Sequence, residues 1–451
     1  MKKIILSSIV LITILSSCLV GPKYTRPDMK APDAWVEQSA YVNTNDTIFN
    51  LKWFDIFNDT VLNSLIDEAL AKNYDLDNAL IRIEQSRDLY GMSKADFWPS
   101  FGYSANANVN GSSPNNYNLN INASWEIDFW GKVRHANRVA YAEILASEEG
   151  VKAITTILIS DVASLYFLLR DLDNRLMIAE QTVVSRTEYF NIINERFLGG
   201  DVSELDMLQA DQQLSIAKAT VSSTKRQLNS TERSLNILLG QMPQPIPRGL
   251  ANVDQGEFPL IPAGLPSYLL EQRPDVKQAE LMMQAETERI GIAQAMRFPS
   301  LSLTGLFGVA SGDLTTLFTD ASIITNASAT ILGPIFNFGK NKRRVEMQRK
   351  EAEIAANNYI STYISALGEV ENSLVSIQMY KEEYEARKKQ AAAASKALML
   401  SQERYSNGYS DYIEVLIAET AMLDSELGAS ATKAQQLSAY LTLYKSLGGG
   451  W

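Results

Sequence analysis

The chain is almost without cysteine and histidine, with one of each in 451 residues. A single cysteine excludes an internal disulfide framework and a cysteine-rich zinc site. A single histidine excludes a histidine-rich metal centre and leaves only one imidazole base. Positive charge is also short, 41 Lys and Arg against 52 Asp and Glu, for a formal net charge of −11. A nucleic-acid binder needs basic patches to neutralise phosphates, so that class is excluded. No glycine loop of the phosphate-cradling kind occurs, so the chain does not itself use ATP. No enzymatic constellation and no metal site emerges.

Long uncharged runs are scarce too. Ile4 to Leu15 is apolar apart from Ser7, Ser8 and Thr13, and follows the basic pair Lys2 and Lys3. That is short for a bilayer span and fits a secretory signal over 1–17. It runs into Leu15-Ser16-Ser17-Cys18, small residues before the lone thiol, the pattern of a bacterial lipoprotein box. Cys18 is therefore expected to carry a diacylglycerol and an N-acyl chain, and no other cofactor. Each buried CH₂ contributes roughly 0.8 kcal/mol, so several acyl chains anchor stably. Beyond the signal no run of 18 residues is free of charged or strongly polar groups. A membrane crossing is therefore expected to use β-strands.

What is present is a repeat. Asp75, Ala79, Gly91, Ala95, Pro99 and Ser100 recur 200 positions later as Asp275, Ala279, Gly291, Ala295, Pro299 and Ser300. Gly131, Lys132, Glu195, Arg196, Gly200 and Gly240 recur 208 positions later as Gly339, Lys340, Glu403, Arg404, Gly408 and Gly448. Such self-similarity is read before any single motif. The chain divides into the signal, an extended N-terminal segment 18–60, a first repeat 61–240, a proline-rich linker 241–264, a second repeat 265–448 and a tail 449–451.

Each repeat carries two strand patterns. Phe101 to Val109 and Tyr117 to Phe129 alternate apolar residues with Asn, Ser and Gly. Leu301 to Val309 and Ile323 to Leu332 repeat this more weakly, with the extra eight residues of the second half in the loop 311–321. A period of two with unlike faces means a sheet between two different solvents. Trp98, Phe101, Trp125, Phe129, Trp130, Phe298 and Phe336 cluster near the strand ends, as in the aromatic girdle of a membrane barrel. Four strands cannot close a barrel, for which about eight is the minimum, so partners are required.

The rest is helix. Lys132 to Leu198 has no proline and only Gly150 as a breaker. Apolar residues recur every seven positions at Val162, Leu169, Leu176, Val183, Phe190 and Phe197, and again 208 positions on at Val370, Ile377, Tyr384, Ala391, Leu398 and Tyr405. That is a coiled-coil seam in both halves. Gly200 and Gly408 are expected to close sharp helical hairpins.

Together these segments resemble the TolC/OprM-type outer-membrane efflux lipoproteins. The resemblance rests on Val20-Gly21-Pro22-Lys23-Tyr24 with Pro27, on Trp53-Phe54 with Phe57 and Asp59, and on Asn73-Tyr74-Asp75-Leu76. It continues through Phe97-Trp98-Pro99-Ser100, Trp125-Glu126-Ile127-Asp128-Phe129-Trp130-Gly131, Arg273-Pro274-Asp275-Val276, Gly333-Pro334-Ile335-Phe336 and Arg404-Tyr405 with Gly408. It implies a membrane α+β fold: a homotrimer with a twelve-stranded β-barrel in the outer membrane and a twelve-helix periplasmic barrel. The implied function is a passive exit duct of a tripartite efflux complex, with a periplasmic membrane-fusion adaptor and an inner-membrane RND-type pump as partners. The alternative is a non-conducting coiled-coil envelope lipoprotein scaffold. The resemblance makes the tips Leu198, Gly199, Gly200, Asp201, Val202, Asn407, Gly408, Tyr409 and Ser410 the adaptor-docking candidates. It makes Asp206, Tyr405 and Glu414 the aperture gate. Ser410 stands where TolC-type members carry an arginine, which places the chain nearer the OprM-type branch. His135 is expected at an interface rather than in catalysis. Glu148, Glu149, Lys342, Arg343 and Arg344 are expected on solvated helix faces.

Overall fold

The computed structural model describes residues 19–29, 32, 34–35, 59–109, 111, 115–256 and 266–449. Cys18 and the Trp53-Phe54-Phe57 motif lie outside the described residues. The elements follow the chain as α1 (Thr60–Lys72), α2 (Tyr74–Ala95), β1 (Ser100–Asn108), β2 (Asn116–Ile127), α3 (Lys132–Gly199) and α4 (Glu204–Leu238). After a 3₁₀ turn at Asn252–Asp254 and another at Pro266–Tyr268 come α5 (Leu269–Gln272), α6 (Pro274–Ala295), β3 (Ser300–Ser311), β4 (Ile323–Leu332), α7 (Lys340–Ser406) and α8 (Tyr412–Ser446). Two further 3₁₀ turns, Leu314–Thr316 and Asp320–Ser322, lie in the β3–β4 connection.

The chain forms two units. The first contains residues 1–29, 80–150 and 275–362, and the second contains 30–79, 151–274 and 363–451.

The first unit holds one antiparallel sheet in the order β1-β2-β3-β4. Its register preserves the two-faced pattern across all four strands. Tyr103 pairs with Ile121, Ile121 with Phe307, and Phe307 with Thr325. One step on, Ala105, Leu119, Val309 and Ile323 form the next row. A one-residue slip in any strand would mix the faces. The opposite face is an amide and hydroxyl ladder. Asn106 donates to Asn118 at 3.2 Å, Asn122 to Ser104 at 3.3 Å, and Thr304 and Ser328 share a bond of 2.7 Å. Gly308 is required in β3, because a Cβ there would lie 2.3 Å from the Leu119 carbonyl oxygen. Strands β1 and β2 end one or two residues before the expected Val109 and Phe129. Phe129 already turns, its N–H donating to the Ile127 carbonyl at 2.8 Å.

The second unit is a helical bundle. Val162, Leu169, Val370, Ile377 and Leu398 are buried on the seam, and Leu176, Val183, Phe190, Phe197, Tyr384, Ala391 and Tyr405 are half-buried. No seam position is exposed, which is the packing a heptad stripe dictates. Helix α3 also contains an 18-residue stretch apolar and long enough to cross a membrane, 44% of it buried. The same helix places Leu158, Val162, Tyr166, Phe167 and Leu169 in the core of this unit. Its apolarity is therefore used for bundle packing.

Asp59 organises one end of the bundle. It N-caps α1, accepting from the backbone N–H groups of Val61 at 3.0 Å and Leu62 at 3.3 Å. Its other oxygen accepts from the Tyr166 hydroxyl at 2.8 Å, the Leu250 N–H at 2.9 Å and Gln255 Nε2 at 3.0 Å. Residues far apart in sequence thus meet on one buried carboxylate. Gly249 passes so close that a Cβ would lie 2.2 Å from Asp59 Oδ1, so only glycine fits.

Candidate functional site

The two hairpin tips belong to the second unit and are built alike. At the first, Gly200 adopts φ 80°. Its N–H donates to the Phe197 carbonyl at 3.0 Å and the Asp201 N–H to the Arg196 carbonyl at 2.8 Å. At the second, Gly408 adopts φ 75°, with the Gly408 N–H on the Tyr405 carbonyl at 3.0 Å and the Tyr409 N–H on the Arg404 carbonyl at 2.9 Å. This paired bonding is the Schellman ending, which favours glycine because a Cβ is strained at positive φ. Leu198 is 76% exposed and Tyr409 77% exposed, so each tip presents a large side chain. Val202 turns inward and packs against Ile193, Ala210, Leu398, Tyr412, Val415 and Leu416. Asn407 is spent on the end of α7, donating to the Glu403 carbonyl at 2.8 Å. The Ser410 hydroxyl oxygen is buried and takes no hydrogen-bond partner.

Asp206 and Glu414 share a repeat position but not an environment. Asp206 forms a capping box at the start of α4: its carboxylate accepts from the Ser203 N–H at 3.1 Å and the Ser203 hydroxyl at 2.8 Å. The Ser203 hydroxyl in turn accepts from the Asp206 N–H at 3.3 Å. Asp411 caps α8 without a side-chain bond, which leaves Glu414 for Arg404 at 3.1 Å. Each carboxylate therefore has a partner within its own chain. Tyr405 packs on Tyr412 at 5.5 Å between ring centroids. Its hydroxyl accepts from Arg196 at 3.3 Å, and that guanidinium also lies 5.5 Å from the Tyr405 ring centroid. The two arginines thus tie α3 to α7 and α7 to α8. In the sequence the two arginines are marked only by their shared repeat position, 208 residues apart.

Behind the tips lies a charged pair that the sequence did not signal. Arg186 of α3 and Glu419 of α8 are both buried and approach to 3.5 Å. Arg186 also donates to the Gln213 carbonyl of α4 at 2.8 Å, so one guanidinium joins three helices. Burial pushes the Glu419 carboxyl above its ordinary range, against the pull of Arg186.

The aromatics of the first unit sit as expected near the strand ends. Trp98, Phe101 and Phe336 are exposed, each at about three quarters. Trp130 stacks on Phe298 at 4.4 Å and meets Phe129 edge-on at 4.8 Å. Their indoles are satisfied: Trp125 donates to the Phe97 carbonyl at 3.0 Å and Trp130 to the Pro299 carbonyl at 2.8 Å. A cavity of about 470 Å³ beside them is lined by Glu126, Trp130, Lys132, Phe298 and Arg344 among others. Arg344 is half-buried and contacts Asn341 and the Met296 sulfur, and so departs from the solvated face expected of it. Glu148 pairs with Arg87 at 3.1 Å. Among the described residues no group of three or more His, Cys, Asp or Glu could hold a metal ion.

The model of the outer membrane efflux protein family matches residues 65–241 and 265–449, one match per repeat. The cation efflux system protein CusC of Escherichia coli is 30% identical over 445 residues, covering 97% of this chain and 96% of its own. The solvent efflux pump outer membrane protein SrpC of Pseudomonas putida is also 30% identical, over 453 residues and the same shares of the two chains. The crystal structure of the open state of the Neisseria gonorrhoeae MtrE outer membrane channel superposes with a TM-score of 0.85 at 28% identity, covering 96% of this chain and 98% of that one. These relatives are efflux proteins and not enzymes. With both repeats matched and full-length relatives at this identity, the chain belongs to the outer membrane efflux protein family.

Proposed function

We propose that three copies of the chain form the passive exit duct of a tripartite efflux complex. Four strands per copy would give twelve, three times the four in one sheet, and close a barrel across the outer membrane. The helices would continue it as a twelve-helix periplasmic barrel. A lipid on Cys18 anchors each copy, an adaptor meets the tips around Gly200 and Gly408, and an inner-membrane pump supplies the cargo. The duct opens by dilation of the tips, which Arg196–Tyr405 and Arg404–Glu414 oppose.

The observation that carries this reading is the sheet. Its apolar side chains Tyr103, Ile121, Phe307 and Ile331 are all more than half exposed, opposite a nearly charge-free Asn and Ser face. A soluble protein does not leave such a face in water. Lipid outside and water inside satisfy both faces. Strands β1 and β4 each have a free edge, and only closure removes both. A non-conducting scaffold would need neither the two-faced sheet nor its closure. Relatives named for cation and for solvent efflux match equally, which supports cargo selection upstream of this chain.

Cysteine pairs test the closure. With single cysteines along Ser100–Asn108 combined with others along Ile323–Leu332, oxidation should yield covalent dimers and trimers at one register on a non-reducing gel. Only monomers at every register would contradict the closed barrel.

A further inference from the structure

We propose that His135 and Glu288 form a seat that holds the N-terminal segment 19–29 in one register against α6. All of the residues concerned lie in the first unit. His135 is 1% exposed. Its Nδ1 lies 2.5 Å from Glu288 Oε2 and its Nε2 lies 3.1 Å from the Val20 carbonyl oxygen. Both ring nitrogens are therefore within hydrogen-bond reach of an oxygen, one on α6 and one on the segment. Arg138 stands 3.7 Å from the other Glu288 oxygen and balances that carboxylate. The ring is gripped between two glycines. A Cβ on Gly291 of α6 would lie 2.4 Å from it, and one on Gly21 of the segment would lie 3.1 Å from Nε2.

The far end of the segment is held by the same helix. Glu280 accepts from the Tyr24 hydroxyl at 2.9 Å and pairs with Arg26 at 2.5 Å. Glu280 and Glu288 are eight residues apart, about 12 Å along a helix. Val20 to Tyr24 spans about 13 Å when extended, so the two carboxylates match the pitch of the segment. The Val20 N–H also donates to the Trp130 carbonyl at 3.3 Å, beside the aromatic end of the sheet.

The repeat supplies its own control. At the corresponding positions of the first repeat stand Leu80 for Glu280, Asp88 for Glu288 and Gly91 for Gly291, and Arg343 in the second repeat corresponds to His135. A Cβ on Gly91 would meet nothing within 4 Å. The glycine recurs in both halves, and only the copy on α6 packs against an imidazole. The seat is therefore a divergence between the repeats that coincides with a segment lying outside both of them. Its consequence, that Val20 is held beside Trp130 within reach of a membrane anchor, rests on the lipid anchor proposed above.

Hydrogen–deuterium exchange of the full-length protein reads the seat directly. In His135→Leu the amides of residues 19–29 should exchange about ten- to a hundredfold faster, the effect of losing hydrogen bonds to charged groups. Peptides from α1 and from the core of α3 should keep their wild-type protection. Gly21→Ala lies in the segment itself and should speed the same amides while the body stays folded, so it serves even if His135→Leu misfolds. Arg343→Leu, the repeat counterpart, should leave the segment unchanged. Wild-type exchange of residues 19–29 in Gly21→Ala, or in a folded His135→Leu, would overturn the seat. The mass of the N-terminal peptide reads lipidation separately, so an unmodified Cys18 would refute the anchor and leave the seat standing.

Discussion

Replacing Asp59 with alanine is expected to cost the folded chain about 4 kcal/mol. The residue is 1% exposed and accepts from five donors. Losing the helix cap alone costs about 1 kcal/mol. The Tyr166 hydroxyl, the Leu250 N–H and the Gln255 amide would each lose a bond inside the protein, at about 1–3 kcal/mol for a group left unsatisfied. The expected sum stays below the arithmetic maximum because the pocket can relax. Asparagine keeps the shape but only one accepting oxygen, and its NH₂ would face donors on the other side, so it should recover only a small part of the loss. Thermal unfolding followed by circular dichroism orders the three proteins. A pH dependence follows. Burial alone would raise the Asp59 carboxyl, but bonds from Gln255, Tyr166 and the Leu62 and Leu250 backbones outweigh it and hold the group below its ordinary value. The folded value is thus lower than the unfolded one. Its contribution is complete above the unfolded value and is lost as pH falls through the folded value. Wild type should therefore lose stability on acidification below about pH 4 more steeply than Asp59→Asn.

Removing both tip contacts, with Arg196→Ala and Glu414→Gln together, should raise the open-to-closed ratio of the duct about tenfold. Arg404 and Glu414 are each about half exposed, 57% and 45%, so their pair contributes only a few tenths of a kcal/mol. The Arg196 contacts with the Tyr405 hydroxyl and ring add about 0.5–1 kcal/mol. Together they approach the ~1.4 kcal/mol that corresponds to tenfold. Asp206→Asn should act differently, because its carboxylate belongs to the Ser203 capping box. It should weaken the start of α4 by about 1 kcal/mol with little change in opening. Open probability in planar bilayers separates the two. An Asp206→Asn channel that opened as readily as the double variant would return Asp206 to the gate.

The architecture was legible because local signals agree with global packing. A proline-free stretch with a heptad stripe can only be a long helix, and α3 runs one residue past the expected Leu198. Gly150 did not break it: a single glycine weakens a helix only modestly when packing holds the rest. Alternation at period two gave the strands, since the residues flip face at every step. Helices α4 and α8 begin only at Glu204 and Tyr412, since the residues after each tip glycine are spent on the turn and the cap. The hairpin tips were visible in paired glycines. The partners of Asp206, Tyr405 and Glu414 were not, because position in a repeat does not specify which neighbour a side chain reaches. The same holds for His135, whose carboxylate partner is 153 residues away, and for the buried Arg186–Glu419 pair. Long-range polar contacts leave no periodicity to read.

The central claim is that this chain conducts, and conductance of the purified protein across a planar lipid bilayer tests it most directly. Purified trimers should insert and give discrete, uniform conductance steps, with brief openings in the wild type and sustained ones in the Arg196→Ala, Glu414→Gln protein. Trimers that insert yet pass no ions, in the wild type and in the tip variant alike, would contradict the account.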